Sequence, residues 1–217
     1  MQSGQHIVSL SLGTVAEPSG LVVIKPRTEL SEPEDGKRDR DSENFFNVTW
    51  LERFPAGRPI PAIVARVCEV VSDKRLAKKC SLLLDITSTG AAPCRVFEGR
   101  GLHPTSFDLT NSGSEEHSGG VQRVPLRDVI GAAQVVLQTN RLKVAKELEH
   151  AETLIGDLQA FDFKPVERNP DLRGGRNVDL VLALAVGLCW ADDLTWDYDP
   201  EPAPRRPVHT GPGGWMT

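Results

Sequence analysis

Residues 81–87 read SLLLDIT, and this short stretch decides the fold class of the chain. Leu82, Leu83 and Leu84 are consecutive, so an extended backbone would place apolar side chains on both of its faces. A continuous apolar run of this kind is typical of a strand covered on both faces, in the middle of a mixed sheet. Asp85 follows directly, which places a carboxylate at the end of the predicted central strand.

More strands and a helix are predicted on the N-terminal side of this run. Residues 7–12 and 21–25 are short apolar stretches separated by turn residues, which predicts a β-hairpin. Residues 45–54 predict a third strand, and the charged stretch 28–43 before it is predicted to be a mobile loop. From Pro59 onward the apolar residues recur with helical spacing, which predicts a helix that precedes the central strand.

The C-terminal side is predicted to be mainly helical. Residues 107–109 predict one further strand, and the Gly- and Ser-rich stretch 111–120 predicts a loop. Helical spacing of apolar residues predicts helices over 126–137 and 144–158. Residues 179–190 are apolar nearly all round, which is typical of a helix buried inside the protein.

Together these elements predict an α/β fold with a mixed central sheet and helices on both faces. The order of the elements fits a ribonuclease H-like fold, although other α/β folds share it. We expect one domain over residues 1–196, followed by a disordered tail rich in Pro and Gly over 197–217.

Bulk composition excludes several classes of protein. The formal net charge is -5, so no global field draws the chain onto nucleic acid or an anionic membrane. The four cysteines are widely spaced without a C-x-x-C pair and the five histidines are scattered, which gives little support for a zinc site. The N-terminus does not resemble a signal peptide, and the longest apolar run is far shorter than the roughly 20 residues that span a bilayer. We therefore expect a cytoplasmic protein without membrane contact.

Polar residues stand at three places where the chain is otherwise apolar. Ser11 ends the first strand with Glu17 shortly after it, Asp85 ends the central strand, and Asp179 opens the buried helix. Side chains at the ends of neighbouring strands and at a helix start can converge at one edge of a sheet. Two Mg²⁺ ions about 4 Å apart need such a cluster of oxygen ligands, with which they activate water against a phosphodiester.

Each position also has a purely structural interpretation, which spacing alone favours. Asp85 can stabilise the turn after its strand by accepting backbone hydrogen bonds. Asp179 can be an acidic residue favoured by the dipole at a helix start, with Asn177 as the cap. Ser11 can be an ordinary small residue in a packed strand.

Five stretches, in this order, resemble the nuclease domain of phage terminase large subunits. They are SLGTVAEPSGLVVI (11–24), WLERFPAGRPIPAIVARV (50–67), LLLDITSTGA (82–91), VPLRDVIGAAQVVLQTNRLKVA (124–145) and NVDLVLALAVGLCW (177–190). The resemblance covers nearly all of residues 7–190. It implies a ribonuclease H-like fold and a Mg²⁺- or Mn²⁺-dependent endonuclease that cuts concatemeric DNA during genome packaging, inside the host cytoplasm.

The same resemblance implies a set of site residues with two departures. Asp85 and Asp179 match metal-ligand positions of the family, and Glu17 matches a position that is often acidic. The family's first ligand, an aspartate, is replaced by Ser11, and the first member of an Asp-Asp pair is replaced by Val178. A neutral hydroxyl cannot supply the charge that bridges two divalent cations, so these departures imply impaired cleavage with Mg²⁺ or Mn²⁺ binding weakened or lost.

Partners follow from the same family. Arg168, Arg173 and Arg176 precede Asp179 and are candidates for holding the phosphates of double-stranded DNA, although a solvated loop explains them equally well. The chain has no G-x-x-x-x-G-K-[ST] phosphate loop, so we expect a separate packaging ATPase, or a portal, as its protein partner.

Two alternative functions remain open from the sequence. The first is a non-catalytic DNA-binding or docking module that keeps the fold without the chemistry. The second is an actin-like ATPase, because SLGT (11–14) and DITSTG (85–90) faintly resemble the two phosphate loops of that superfamily. That fold needs two large domains, so 217 residues argue against it.

Overall fold

A computed structural model describes residues 5–30, 42–76, 80–111, 116–118, 120–161 and 178–196. The strands are β1 (His6–Ser11), β2 (Ser19–Leu30), β3 (Ser42–Phe54), β4 (Cys80–Asp85), β5 (Thr105–Thr110), β6 (Glu116–Ser118), β7 (Val121–Pro125) and β8 (Leu142–Val144). The helices are α1 (Ile60–Val71), α2 (Ala92–Glu98), α3 (Leu126–Gln138), α4 (Ala151–Ala160) and α5 (Asp179–Trp196).

The described strands form one mixed sheet in the order β6-β7-β5-β4-β1-β2-β3-β8. β4 pairs in parallel with β1 on one side and with β5 on the other. Leu83 and Leu84 are fully buried, and they belong to hydrophobic clusters on opposite faces of the sheet. The prediction that 81–87 contains a central strand covered on both faces is confirmed.

Helices cover both faces, as predicted, because each face of the central strands is apolar. One cluster joins Val8 and Leu10 of β1 to α1 and α2. The other joins Ile7, which faces the opposite side of the same strand, to α3, α4 and α5. The result is an α/β fold consistent with the ribonuclease H-like class.

Helix α5 lies in the core, as its uniform apolarity predicts. From Leu180 to Leu188 its side chains are almost completely buried. Gly187 allows the helix to approach the sheet closely, because a Cβ atom there would lie 2.6 Å from Cδ1 of Ile24 and 3.3 Å from Cβ of Ser9. None of the described helices combines the length and the apolar composition that a membrane span requires.

The predicted hairpin is confirmed, but the predicted loop after it was too long. β1 and β2 pair antiparallel. β2 and β3 then pair from Ser19 with Phe54 as far as Leu30 with Ser42, so both ends of the stretch 28–43 belong to strands. Pairing between the strands stabilises these polar residues, which have few apolar contacts of their own. For example, the Thr28 hydroxyl donates a hydrogen bond of 2.8 Å to Oδ1 of Asn44 on the neighbouring strand.

The predicted helix over 144–158 is wrong in its first half. Val144 ends β8, which pairs in parallel with β3, and α4 begins only at Ala151. His150 has a left-handed backbone with φ of +66°, which interrupts any continuous helix. Strand pairing at the sheet edge therefore prevails over helical spacing here, and Ile155, which that spacing placed on the apolar face, is 38% exposed.

Other elements were not anticipated. The Gly- and Ser-rich stretch 111–120 contains β6, which pairs antiparallel with β7 at the edge of the sheet. Helix α2 was also missed. The predicted tail 197–217 lies outside the described residues, so the domain limits 1–196 stay a prediction.

Candidate functional site

Ser11 and Asp85 are direct neighbours in the sheet. β1 and β4 run parallel, and Ser11 pairs with Asp85 at the carboxyl ends of both strands. The Ser11 hydroxyl donates a hydrogen bond of 2.8 Å to Oδ2 of Asp85. Both residues are buried, with exposed fractions of 2% and 0%. Two of the candidate positions therefore meet inside the protein, with the serine donating to the carboxylate.

The second oxygen of Asp85 is also engaged. Oδ1 accepts hydrogen bonds from the backbone N–H of Thr87, at 3.0 Å, and from its hydroxyl, at 2.6 Å. The same Thr87 oxygen accepts a hydrogen bond of 2.8 Å from the backbone N–H of Leu109 in β5. Asp85 thus has the turn-stabilising contacts that its structural interpretation anticipated, and protein donors satisfy both of its carboxylate oxygens.

Asp179 reaches the same end of the sheet through α5. Gly20 of β2 pairs with Ser11, and a Cβ atom at Gly20 would lie 2.6 Å from the carbonyl carbon of Asp179. Only glycine permits this approach of helix backbone to strand. The start of α5 therefore lies on the strand next to Ser11, so the end of β1, the end of β4 and the start of α5 are brought together.

Arg53 of β3 neutralises Asp179. It pairs with Gly20 in the sheet, and its Nη2 atom donates a hydrogen bond of 2.7 Å to Oδ1 of Asp179. The side chains of Arg53 and Asp179 are only 18% and 4% exposed. Oδ2 of Asp179 is buried and has no hydrogen-bond partner among the described residues. One oxygen of this carboxylate is thus held by a fixed cation and the other is unsatisfied.

Glu17 lies at a small cleft together with Ser11, Val178 and Asp179. The cleft has a volume of about 10 Å³, which is at the lower limit for a single water molecule. Glu17 is half-buried, and its Oε2 accepts a hydrogen bond of 3.4 Å from the Thr14 hydroxyl. The loop between β1 and β2 therefore brings a third acidic residue to the edge of the site.

Asp157 of α4 is a carboxylate near this site that the sequence did not single out. Its Oδ2 atom is buried without a hydrogen-bond partner among the described residues. Burial raises the pKa of Asp157, the positive charge of Arg53 acts against that shift, and the negative charge of Asp179 adds to it. Asp157 therefore shares the electrostatic environment of the Arg53–Asp179 pair.

Neither Arg53 nor Asp157 carried a signal that could have identified it. Arg53 is one cation near the end of a strand, and Asp157 is one acidic residue in an amphipathic helix. Their importance arises from β3 pairing beside β2 and from α4 packing near α5, both of which are long-range contacts. Arg168, Arg173 and Arg176, by contrast, lie outside the described residues, so their proximity to DNA stays a prediction.

The donor set does not fit a two-metal-ion centre. Among the described residues, no group of three or more His, Cys, Asp or Glu side chains is arranged to hold a metal ion. Both oxygens of Asp85 accept hydrogen bonds from protein donors, and Oδ1 of Asp179 binds a guanidinium. The residue paired with Asp85 in β1 is a serine, whose neutral hydroxyl supplies no charge for holding divalent cations.

Sequence comparison assigns no family, since no protein-family model and no curated protein matches the chain. Solved structures do resemble it. The large terminase nuclease from the thermophilic phage G20c matches with a TM-score of 0.50 and 13% identity over 84% of this chain and 80% of that one. The human cytomegalovirus terminase nuclease domain, Mn soaked, matches with a TM-score of 0.51 and 15% identity over 87% of this chain and 84% of that one. The chain therefore has a fold like that of terminase large-subunit nuclease domains.

Proposed function

We propose that this chain is a terminase nuclease-type domain that has lost metal-dependent cleavage and acts as a DNA-binding or docking module in phage genome packaging. The fold likeness supports the class of domain. The observation that carries the loss of cleavage is the hydrogen bond of 2.8 Å from Ser11 to Asp85. It fills one oxygen of the best-placed carboxylate with a neutral protein donor, in a site where a nuclease of this kind needs free anionic oxygens.

Arg53 supports the same proposal through electrostatics. A guanidinium 2.7 Å from Asp179 supplies a permanent positive charge at the carboxylate. It neutralises the charge that would attract a divalent cation, and it repels such a cation at short range. Arg53 therefore balances the negative charge of Asp179 in place of a metal ion. This guanidinium is a permanent, partly buried part of the folded domain.

The proposed partners are double-stranded DNA and a separate packaging ATPase or portal protein. With a formal net charge of -5, the chain needs a local basic surface for DNA. Arg168, Arg173 and Arg176 are the residues we propose for phosphate contacts, since they directly precede α5 in the sequence. Contacts of this type fix the register of a protein on DNA without reading its sequence.

A second candidate function is an active Mg²⁺- or Mn²⁺-dependent endonuclease in which Glu17 replaces the missing carboxylate. The observation in its favour is that Glu17 lines the same cleft as Ser11 and Asp179. The unsatisfied Oδ2 of Asp179 is also an oxygen that a cation would stabilise. This candidate requires Glu17 to leave Thr14 and Asp85 to exchange protein donors for a cation.

Nicking of supercoiled plasmid in Mn²⁺ separates the two candidates. We expect no nicking by the wild type and a gain of nicking in Ser11→Asp, with Ser11→Asn as a control that changes size without adding charge. Robust wild-type nicking that disappears in Asp85→Ala and Glu17→Gln would overturn the non-catalytic proposal in favour of the second candidate.

DNA binding is measured separately on the wild-type chain by gel shift at increasing salt. A complex that weakens steeply with salt, and that weakens further when Arg173 and Arg176 are changed to Gln, supports phosphate contacts. No complex at low salt, together with no nicking, would remove the DNA-binding part of the proposal and leave docking to a packaging protein.

A further inference from the structure

A second cavity lies on the other face of the sheet, at the opposite end of β1 from Ser11. It is lined by His6 at the start of β1, by Val23 and Lys25 of β2, by Trp50 of β3, and by side chains of α1 and the turn after it. Its volume is about 510 Å³, within the range of cavities that hold small molecules. We call it the Trp50 cavity.

The walls of the Trp50 cavity are partly apolar. Val23, Val70 and Leu76 are buried core residues that also line it, and Trp50 is half-buried beside them. The indole of Trp50 in the cavity wall suits an aromatic ligand ring, because aromatic pairs gain energy from stacked or edge-to-face contacts. The apolar part of the cavity therefore favours an aromatic ligand body.

Two arginines hold Trp50 in place and are themselves neutralised. The guanidinium carbons of Arg66 and Arg75 lie 5.8 Å and 6.0 Å from the centre of the Trp50 ring. Arg66 binds Glu52 and Glu69. Arg75 binds Asp73 and lowers the pKa of that carboxyl to about 2. Both arginines are thus paired with carboxylates of the protein, and these ion pairs form part of the cavity wall.

Lys25 and His6 also line the cavity, but they differ from the ion-paired arginines. Within the described ranges, Lys25 forms no ion pair, although it lines the cavity. The Nδ1 atom of His6 is buried and has no hydrogen-bond partner in the same ranges. Burial lowers the pKa of His6 and the charge of Lys25 lowers it further, so His6 is neutral at pH 7. The cavity thus offers one cation, Lys25, that has no ion-pair partner among the described residues.

We propose that the Trp50 cavity binds a small anionic aromatic molecule, with its ring against Trp50 and its anionic group at Lys25. This site is independent of Asp85 and Asp179, since it lies on the other face of the sheet and at the other end of β1.

The test uses 1-anilinonaphthalene-8-sulfonate, whose rings and sulfonate match this chemistry. We expect saturable binding of one molecule per chain by fluorescence titration. Lys25→Glu should bind at least about tenfold more weakly, because it removes one charge-assisted contact and adds a negative charge that repels the sulfonate. Lys146→Glu is the matched control, because Lys146 is exposed and lies away from the cavity; its binding should equal that of the wild type.

A second measurement locates the bound molecule. In a two-dimensional ¹⁵N–¹H spectrum, the indole signal that disappears in Trp50→Phe should be the one that the dye shifts in the wild type. Non-saturable binding, equal effects of Lys25→Glu and Lys146→Glu, or a shift confined to the other tryptophans would each overturn the proposal. None of these outcomes depends on whether the chain cuts or binds DNA.

Discussion

Arg53 and Asp179 form a partly buried ion pair across 126 residues of sequence, with 2.7 Å between Nη2 and Oδ1. The pair fixes the start of α5 to β3, on the far side of β2 from Ser11. It also places a positive charge 2.7 Å from Oδ1 of Asp179. The pair therefore bears on the stability of the fold and on the charge that Asp179 presents at the small cleft beside Ser11.

Breaking this pair should destabilise the fold strongly. In Arg53→Met, Asp179 keeps its charge in a buried position without a counter-ion, which we expect to reduce the free energy of unfolding by about 3 kcal/mol. Arg53→Met combined with Asp179→Asn should recover most of the loss. Urea denaturation measures both, with Arg27→Met as the control, because Arg27 and its partner Glu29 are 67% and 48% exposed. Equal effects at Arg53 and Arg27 would contradict a structural role for the pair.

Removing the Ser11 hydroxyl should leave Oδ2 of Asp85 without its 2.8 Å donor. We expect Ser11→Ala to lower the free energy of unfolding by about 1–3 kcal/mol, because it removes a buried hydrogen bond to a charged acceptor. Ser9→Ala is a matched control on the same strand and face, because its hydroxyl is buried without a hydrogen-bond partner in the described residues. That change should be neutral or stabilising. The idea fails if chemical denaturation finds the two variants equally destabilised.

The sequence predicted the position of Asp85 because its strand is apolar on both faces and the carboxylate follows directly. It predicted Asp179 because a buried helix opens there, and Ser11 because it ends a strand that pairs beside these elements. Arg53 and Asp157 could not be predicted in the same way, since their neighbours come from pairings between distant segments. The error at Val144 has the same cause: its apolar spacing predicts a helix, but pairing with the distant strand β3 places it in a strand.

Asp157 should make stability depend on pH. Its pKa is raised in the folded state, so the folded chain holds a proton that the unfolded chain has released, and stability falls as pH rises from the ordinary carboxyl range to the raised pKa. Asp157→Asn should abolish that fall and be more stable than the wild type at pH 7. Urea denaturation from pH 3 to pH 7 measures the difference, with Glu98→Gln at an exposed site as the control. A wild-type stability that rises through this window, with no change in Asp157→Asn, would contradict the assigned environment.

Gly20 should tolerate no side chain, because a Cβ atom there would lie 2.6 Å from the backbone of Asp179. Gly20→Ala must displace the start of α5 or bend β2, and we expect a loss of about 1–3 kcal/mol in the free energy of unfolding. Gly156→Ala in α4 is the control, since a Cβ atom there meets nothing within 4 Å. It should stabilise the protein by about 0.5–1 kcal/mol, as alanine does in a helix. A benign Gly20→Ala would mean that α5 does not lie against β2 at this point.

Ser11→Asp should convert the site into one that responds to divalent cations. A second carboxylate beside the buried Asp85 repels it, so the variant should be less stable than the wild type in EDTA. Mn²⁺ would relieve that repulsion, and a ligand that binds only the folded state raises the melting temperature, more so the tighter it binds. The wild type, whose Asp179 is balanced by Arg53, should show little response. Thermal unfolding in EDTA and in Mn²⁺ measures the difference, and Ser11→Asn separates charge from size. An equal Mn²⁺ response in the wild type and Ser11→Asp would mean that the serine is no obstacle to metal binding, and the non-catalytic proposal would lose its main support even before any cleavage is assayed.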